Sequence, residues 1–150
     1  LTPAKTLNVW VIDKTVPVSD FQEHKGLFWT LNFLKVKDQD GRNYNFHQDY
    51  FGFFPKGDDY EIREIKGQKP DLIYLADTYG VYSNDLNQEN KEGTRSSLVY
   101  GGLTEIELYK IKAQLKGGTT LVSEFNTIES PTSEKVSSEL QKIFGIKWSG

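Results

Sequence analysis

The chain contains no cysteine and no methionine, and only two histidines, His24 and His47, among its 150 residues. Without Cys there can be no disulfide, no thiolate metal site and no cysteine nucleophile. The histidines show no His-x-His or His-x-x-x-His spacing, so no metal site is expected, and nothing calls for a cofactor. No apolar run approaches the roughly 20 residues of a membrane-spanning helix, and no charged-then-apolar leader precedes Leu7. Membrane contact within the chain is therefore not expected. The net charge of -3, with Lys and Glu interspersed, offers no basic stripe for a phosphate backbone, which removes nucleic acid from the expected partners. The absence even of an initiating Met is expected of a segment of a longer parent protein.

What remains is globular in character. A hydrophobic share of 37% in 150 residues is enough for one domain, spanning residues 1–150, with a core of its own. Leu7 to Ile12 is a β-branched and aromatic run that reads as a first strand, ending at Asp13-Lys14-Thr15. Ser19-Asp20-Phe21-Gln22 has the form of a capping box and predicts a helix from just after Ser19 to about Lys35, with Leu27, Leu31 and Leu34 at helical spacing. The aromatic stretch Tyr44 to Pro55 predicts a strand near Tyr50 to Phe54, with Gly52 as a bulge or close-approach point. Packing in the core is the expected fate of these aromatics, Tyr50 and Phe51 being the two to inspect for exposure. Tyr60, Ile62 and Ile65 fit a short edge strand or a helical turn. Asp71 to Tyr82 carries an apolar run after Pro70 and reads as a fully buried strand with polar chemistry at its tip.

Ser83 to Ser97 is polar and holds a single large apolar residue, Leu86, so a long surface loop is expected. Thr104-Glu105-Ile106-Glu107 is a second capping box, with Leu103 and Leu108 at the staple positions, and a helix is predicted from there to a left-handed cap at Gly117. Thr119 to Ser123 reads as a strand leading to Glu124-Phe125-Asn126. A last helix is predicted from Ser130-Pro131 to Gly145, with Val136, Leu140, Ile143 and Phe144 on one face. Ile146 to Trp148 could open a further strand. Strands alternating with helices predict an α/β fold with a mostly parallel sheet and helices on both faces.

The order Leu98-Val99-Tyr100-Gly101-Gly102-Leu103, amphipathic helix, Gly117-Gly118-Thr119-Thr120-Leu121-Val122 and sharp turn resembles the class I glutamine amidotransferase-like superfamily. Within it, the similarity is to non-glutaminase branches such as the ThuA-like and related extracytoplasmic domains. The resemblance implies a three-layer, flavodoxin-like (Rossmann-like) sheet, and it favours an extracytoplasmic or membrane-tethered parent protein. Where glutaminase members present a nucleophilic Cys, this chain has Glu124-Phe125-Asn126, and no His follows that region. Glutamine hydrolysis, which depends on thiolate attack, is excluded.

Open parallel sheets bind ligands outside the carboxyl ends of their strands. Three polar clusters are expected there: Asp13, Lys14 and Thr15; Asp77, Thr78 and Tyr79; and Glu124 with Asn126. Glu23 and His24 lie on the same rim. Asp13, Asp77 and Glu124 are the candidate catalytic carboxylates, with Lys14 and Lys25 as nearby cations. Two functions fit: a non-catalytic domain binding a small polar ligand or a protein partner, or a carbohydrate-directed hydrolase working through a carboxylate pair. Against both stands the plainer role of acidic residues that cap turns and bond to backbone amides.

Overall fold

The computed structural model describes residues 4–86 and 96–149. Along it run β1 (Lys5–Thr6), β2 (Val9–Asp13), α1 (Gln22–Phe33), β3 (Val36–Lys37), β4 (Phe51–Lys56), β5 (Asp59–Arg63) and β6 (Leu72–Asp77). There follow β7 (Val81–Tyr82), α2 (Ser83–Leu86), β8 (Leu98–Tyr100), α3 (Glu105–Lys116), β9 (Thr120–Ser123), a single 3-10 turn at Phe125–Thr127 and α4 (Glu134–Phe144). The main sheet has five strands in the order β5-β4-β2-β6-β9, parallel except for β5, which returns beside β4 as an antiparallel hairpin. Of the two readings open for Tyr60 to Ile65, the edge strand is the one formed.

Every residue of β2 is buried, which is why its sequence is an unbroken apolar run rather than an alternating one. Alternation still decides direction. Val9 and Val11 point into a cluster with Phe28 and Leu31 of α1 and with Tyr44, Tyr50 and Phe54. Trp10 and Ile12 point into a second cluster with Leu108 and Ile111 of α3 and Val136 and Leu140 of α4. The aromatic stretch is core material: Tyr50 is only 2% exposed, and Phe51 is half-buried against Trp10.

Several local expectations are corrected. The box at Ser19 does not form; Phe21 is the N-cap of α1, in a left-handed conformation with φ 54° and no side-chain cap. Its ring is buried against His24, Phe46, His47 and Tyr50. Burying a Phe contributes about 1.5–3 kcal/mol against about 1 for a cap, so the core wins the local contest. Gly117 ends α3 at φ -88°, and the left-handed residue is its successor, Gly118, at φ 87°. The last helix starts at Glu134 behind a Ser133 cap, three residues beyond Pro131, and Ile146 to Trp148 forms no strand. Of the polar stretch after Tyr82, Ser83–Leu86 is a short helix and residues 87–95 lie outside the described residues. Among the described residues no helix is long and apolar enough to cross a membrane.

The box at Thr104 forms in full. The Glu107 amide donates to Thr104 Oγ1 at 3.2 Å, and the Thr104 amide donates to Glu107 Oε2 at 2.8 Å. Gly145 is the left-handed cap of α4, at φ 67°.

Gly52 is the tightest point of the sheet. Its φ is 126°, and a Cβ built there would stand 1.8 Å from the Asp13 carbonyl oxygen. Gly52→Ala is expected to cost more than about 2 kcal/mol in urea unfolding, since it adds a backbone clash to a forbidden dihedral. Gly41→Ala, at φ 78° with open space around it, should cost about 1 kcal/mol.

Candidate functional site

β2 and β6 run parallel and adjacent, so Asp13 and Asp77 end side by side, paired in register across a local irregularity. The Lys14 amide closes the junction by donating to the Asp77 carbonyl at 2.8 Å. Beyond this point the side chains separate into three directions.

Asp13 is wholly buried and faces the first turn of α1. Its Oδ2 lies 2.6 Å from His24 Nδ1, and its Oδ1 accepts from the Thr15 amide at 2.9 Å. His24 is equally buried, and its Nε2 lies 2.8 Å from the Phe46 carbonyl. A carbonyl can only accept, so Nε2 carries a proton. One further proton lies between Nδ1 and Oδ2, and the pair is either carboxylate with imidazolium or acid with neutral imidazole. Both forms have zero net charge, which is what a site without water tolerates. Burial pushes the Asp13 carboxyl above its ordinary range, and the His24 contact pulls it partly back. With both ring nitrogens engaged, His24 has no lone pair to offer a substrate.

Asp77 receives three donors: the Thr15 hydroxyl at 2.8 Å, the Tyr79 amide at 2.6 Å and the Asn126 side-chain amide at 2.8 Å. Thr15 in turn accepts from the Gly80 amide. Asp13, Thr15, His24, Asp77 and Asn126 thus form one connected group, with Tyr79 joined through its backbone. The Tyr79 ring is exposed beside it, its centroid 5.2 Å from that of Tyr82.

The other predicted members go elsewhere. Lys14 turns under α3, where its ammonium donates to Glu107 Oε2 at 2.6 Å and to the Gly102 carbonyl at 2.7 Å, and lies 4.7 Å from the Tyr100 ring centroid. Burial lowers its pKa and Glu107 opposes that shift. Thr78 points inward toward Thr127 and Thr132. Glu124 is exposed and accepts from the Tyr74 hydroxyl. Lys25 lies over the Trp29 and Phe46 rings and forms no ion pair with these carboxylates.

Glu23 is the exception to this saturation. It stands next to His24 in the opening turn of α1, half-buried, and its Oε2 is buried without a hydrogen-bond partner among the described residues. Burial, with added repulsion from Asp13, Asp20 and Asp77, raises its carboxyl to about 7. Sequence reasoning placed Glu23 on the rim but had no signal for its orphaned oxygen. It missed the Lys14–Glu107 pair as well, because the partners are far apart in sequence and each belongs to a different local motif.

Comparison with protein-family models, with curated proteins and with solved structures found no match. Among the described residues no group of three or more His, Asp or Glu side chains is arranged to hold a metal ion.

The Glu23 shift makes a signed prediction. The fold favours the protonated acid, so this residue's contribution to stability is complete below its ordinary value of 4.5, falls as pH rises toward about 7, and is level above that. The difference in unfolding free energy between wild type and Glu23→Gln should therefore vary across that window, to the variant's advantage at higher pH. A difference that is flat with pH would show that Glu23 titrates as an ordinary surface acid.

Proposed function

We propose that this chain is a non-catalytic, glutamine amidotransferase-like domain that binds a small polar ligand where β2 and β6 end. Strand order supports the fold half of the reading. Taken in chain order, the parallel strands β2, β4, β6 and β9 lie in the sequence second, first, third, fourth, the order of a flavodoxin-like sheet. The switch point of such a sheet falls between its first and third strands, here β2 and β6, which end in Asp13 and Asp77. The β5 hairpin stands where that fold usually carries a crossover helix, and the three-layer arrangement is part of the proposal.

The observation that carries the ligand half is Glu23 Oε2, without a partner among the described residues, beside a group whose other carboxylates are already bonded. A buried polar atom without a partner costs on the order of 1–3 kcal/mol, and a ligand hydroxyl, amide or ammonium donating to it would recover that. The Tyr79 ring is exposed on the segment whose backbone amide donates to Asp77. Binding is preferred over hydrolysis because a hydrolase of this kind needs two free carboxylates across a cleft. Asp13 is sealed against His24, and Asp77 holds three donors.

A thermal-shift and calorimetric screen of polyols, nucleosides and small amines tests the reading. A ligand that raises the melting temperature of the wild type should lose most of that shift in Glu23→Gln and part of it in Asp77→Asn. A shift that survives both substitutions would place the ligand elsewhere and overturn the proposal.

A further inference from the structure

At the opposite end of the sheet the strands part. β2 pairs with β6 from Val9 onward, but with β4 only at Ile12 and Asp13. The Leu72 amide donates to the Asn8 carbonyl, so Asn8, Trp10 and Ile12 direct their backbone groups toward β6. Val9 and Val11 turn theirs the other way, and the Val9 amide donates to the Tyr44 hydroxyl at 2.9 Å. Tyr44 passes its own proton to the Leu7 carbonyl, standing in for a strand that is not there. Beyond it, the β4 ladder reaches β2 only at Ile12, so the Val9 carbonyl lies where β4 does not pair with it.

Val9 lines a cleft of about 340 Å³ on this side, within the size range of small-molecule sites. Tyr44, Tyr50, Trp10 and Phe51 border it, with the hydroxyls of both tyrosines spent on backbone carbonyls. Its mouth carries Gln39, Gln48 and Gln68, whose side-chain amides make no hydrogen bond among the described residues and which are all exposed. One negative charge is left in excess there. Arg42 is held by Asp38 and Asp40 at 2.9 Å each, and the remaining Lys66 and Asp49 offset one another.

From this we infer a second binding site, for a neutral, hydroxyl-rich ligand of mono- or disaccharide size. Side-chain amides present a donor and an acceptor together, which suits the vicinal hydroxyls of a sugar. The aromatic border suits the C–H faces of a pyranose. The Val9 carbonyl, which a buried site requires to be paired, supplies an acceptor at the floor. An anion finds no free guanidinium, since Arg42 is neutralised by its own loop. The site is at the amino ends of the parallel strands and shares no residue with the group around Asp13, so it stands or falls independently of the function proposed above.

The test is a titration of the whole 150-residue chain, followed by backbone amide correlation spectra. The probes are glucose, galactose, mannose, maltose, cellobiose and lactose, with glycine and inorganic phosphate as contrasting ligands. At least one sugar should move the Val9 amide together with those of Gln48 and Gln68. The Gln48→Ala/Gln68→Ala variant, altered only at exposed positions, should bind that sugar at least about tenfold more weakly, while Glu23→Gln binds it as the wild type does. The inference is overturned if no sugar moves the Val9 amide, if the perturbed amides instead gather around Glu23, Asp77 and Tyr79, or if glycine or phosphate moves Val9 and the sugars do not.

Discussion

A single buried contact, Asp13 to His24, ties together the parts of this molecule that are distant in sequence. Asp13 ends the central strand, His24 lies in the first turn of α1, and the far nitrogen of the imidazole reaches the Phe46 carbonyl in the aromatic stretch before β4. The backbone of the same aspartate receives Gly52 at a distance that no side chain could enter. Strand, helix and aromatic segment are thus referenced to one residue. Its burial is tolerable because the two groups share a proton and carry no net charge; remove either, and the other is left buried with an unmet requirement, a loss on the order of 3–5 kcal/mol in comparable pairs.

That arrangement explains the contrast between the two ends of the sheet. At the carboxyl end, β2 and β6 stop together and their terminal carboxylates are consumed by internal donors, leaving Glu23 Oε2, near Asp13 and Asp77, as the carboxylate oxygen without a partner among the described residues. At the amino end, β4 joins β2 late. Tyr44 and Tyr50 occupy the intervening space with their rings but each spends its hydroxyl on a carbonyl, so the edge of β2 is only half covered. A closed end rich in charge and an open end rich in amides follow from one constraint on where β4 can begin.

Local signals were legible where four or five consecutive residues decide the outcome. The Thr104 box with its Leu103–Leu108 staple, the Gly145 cap and the close approach at Gly52 could all be read from the chain, as could the buried strands β2 and β6. Ser19 offered the same kind of signal as Thr104, yet the burial of Phe21 among four aromatic rings overrode it. The candidate site was legible as a place: Asp13, Thr15, His24, Asp77 and Asn126 do come together. Roles within it were not, because they depend on direction. Lys14 and Asp13 are neighbours in sequence but point to opposite sides of the sheet, and Lys14 finds Glu107 in a helix far along the chain. No periodicity encodes which of two adjacent polar side chains at a strand end will be drawn into which cluster.

The account rests on the Asp13–His24 contact acting as one unit, and a double-mutant cycle measures that directly. Urea unfolding of wild type, Asp13→Ala, His24→Ala and the double variant at neutral pH should give two large single losses and a double loss well short of their sum, with a coupling of about 2 kcal/mol or more. Losses that add to within about 0.5 kcal/mol would contradict it, since the two residues would then be stabilising the fold separately.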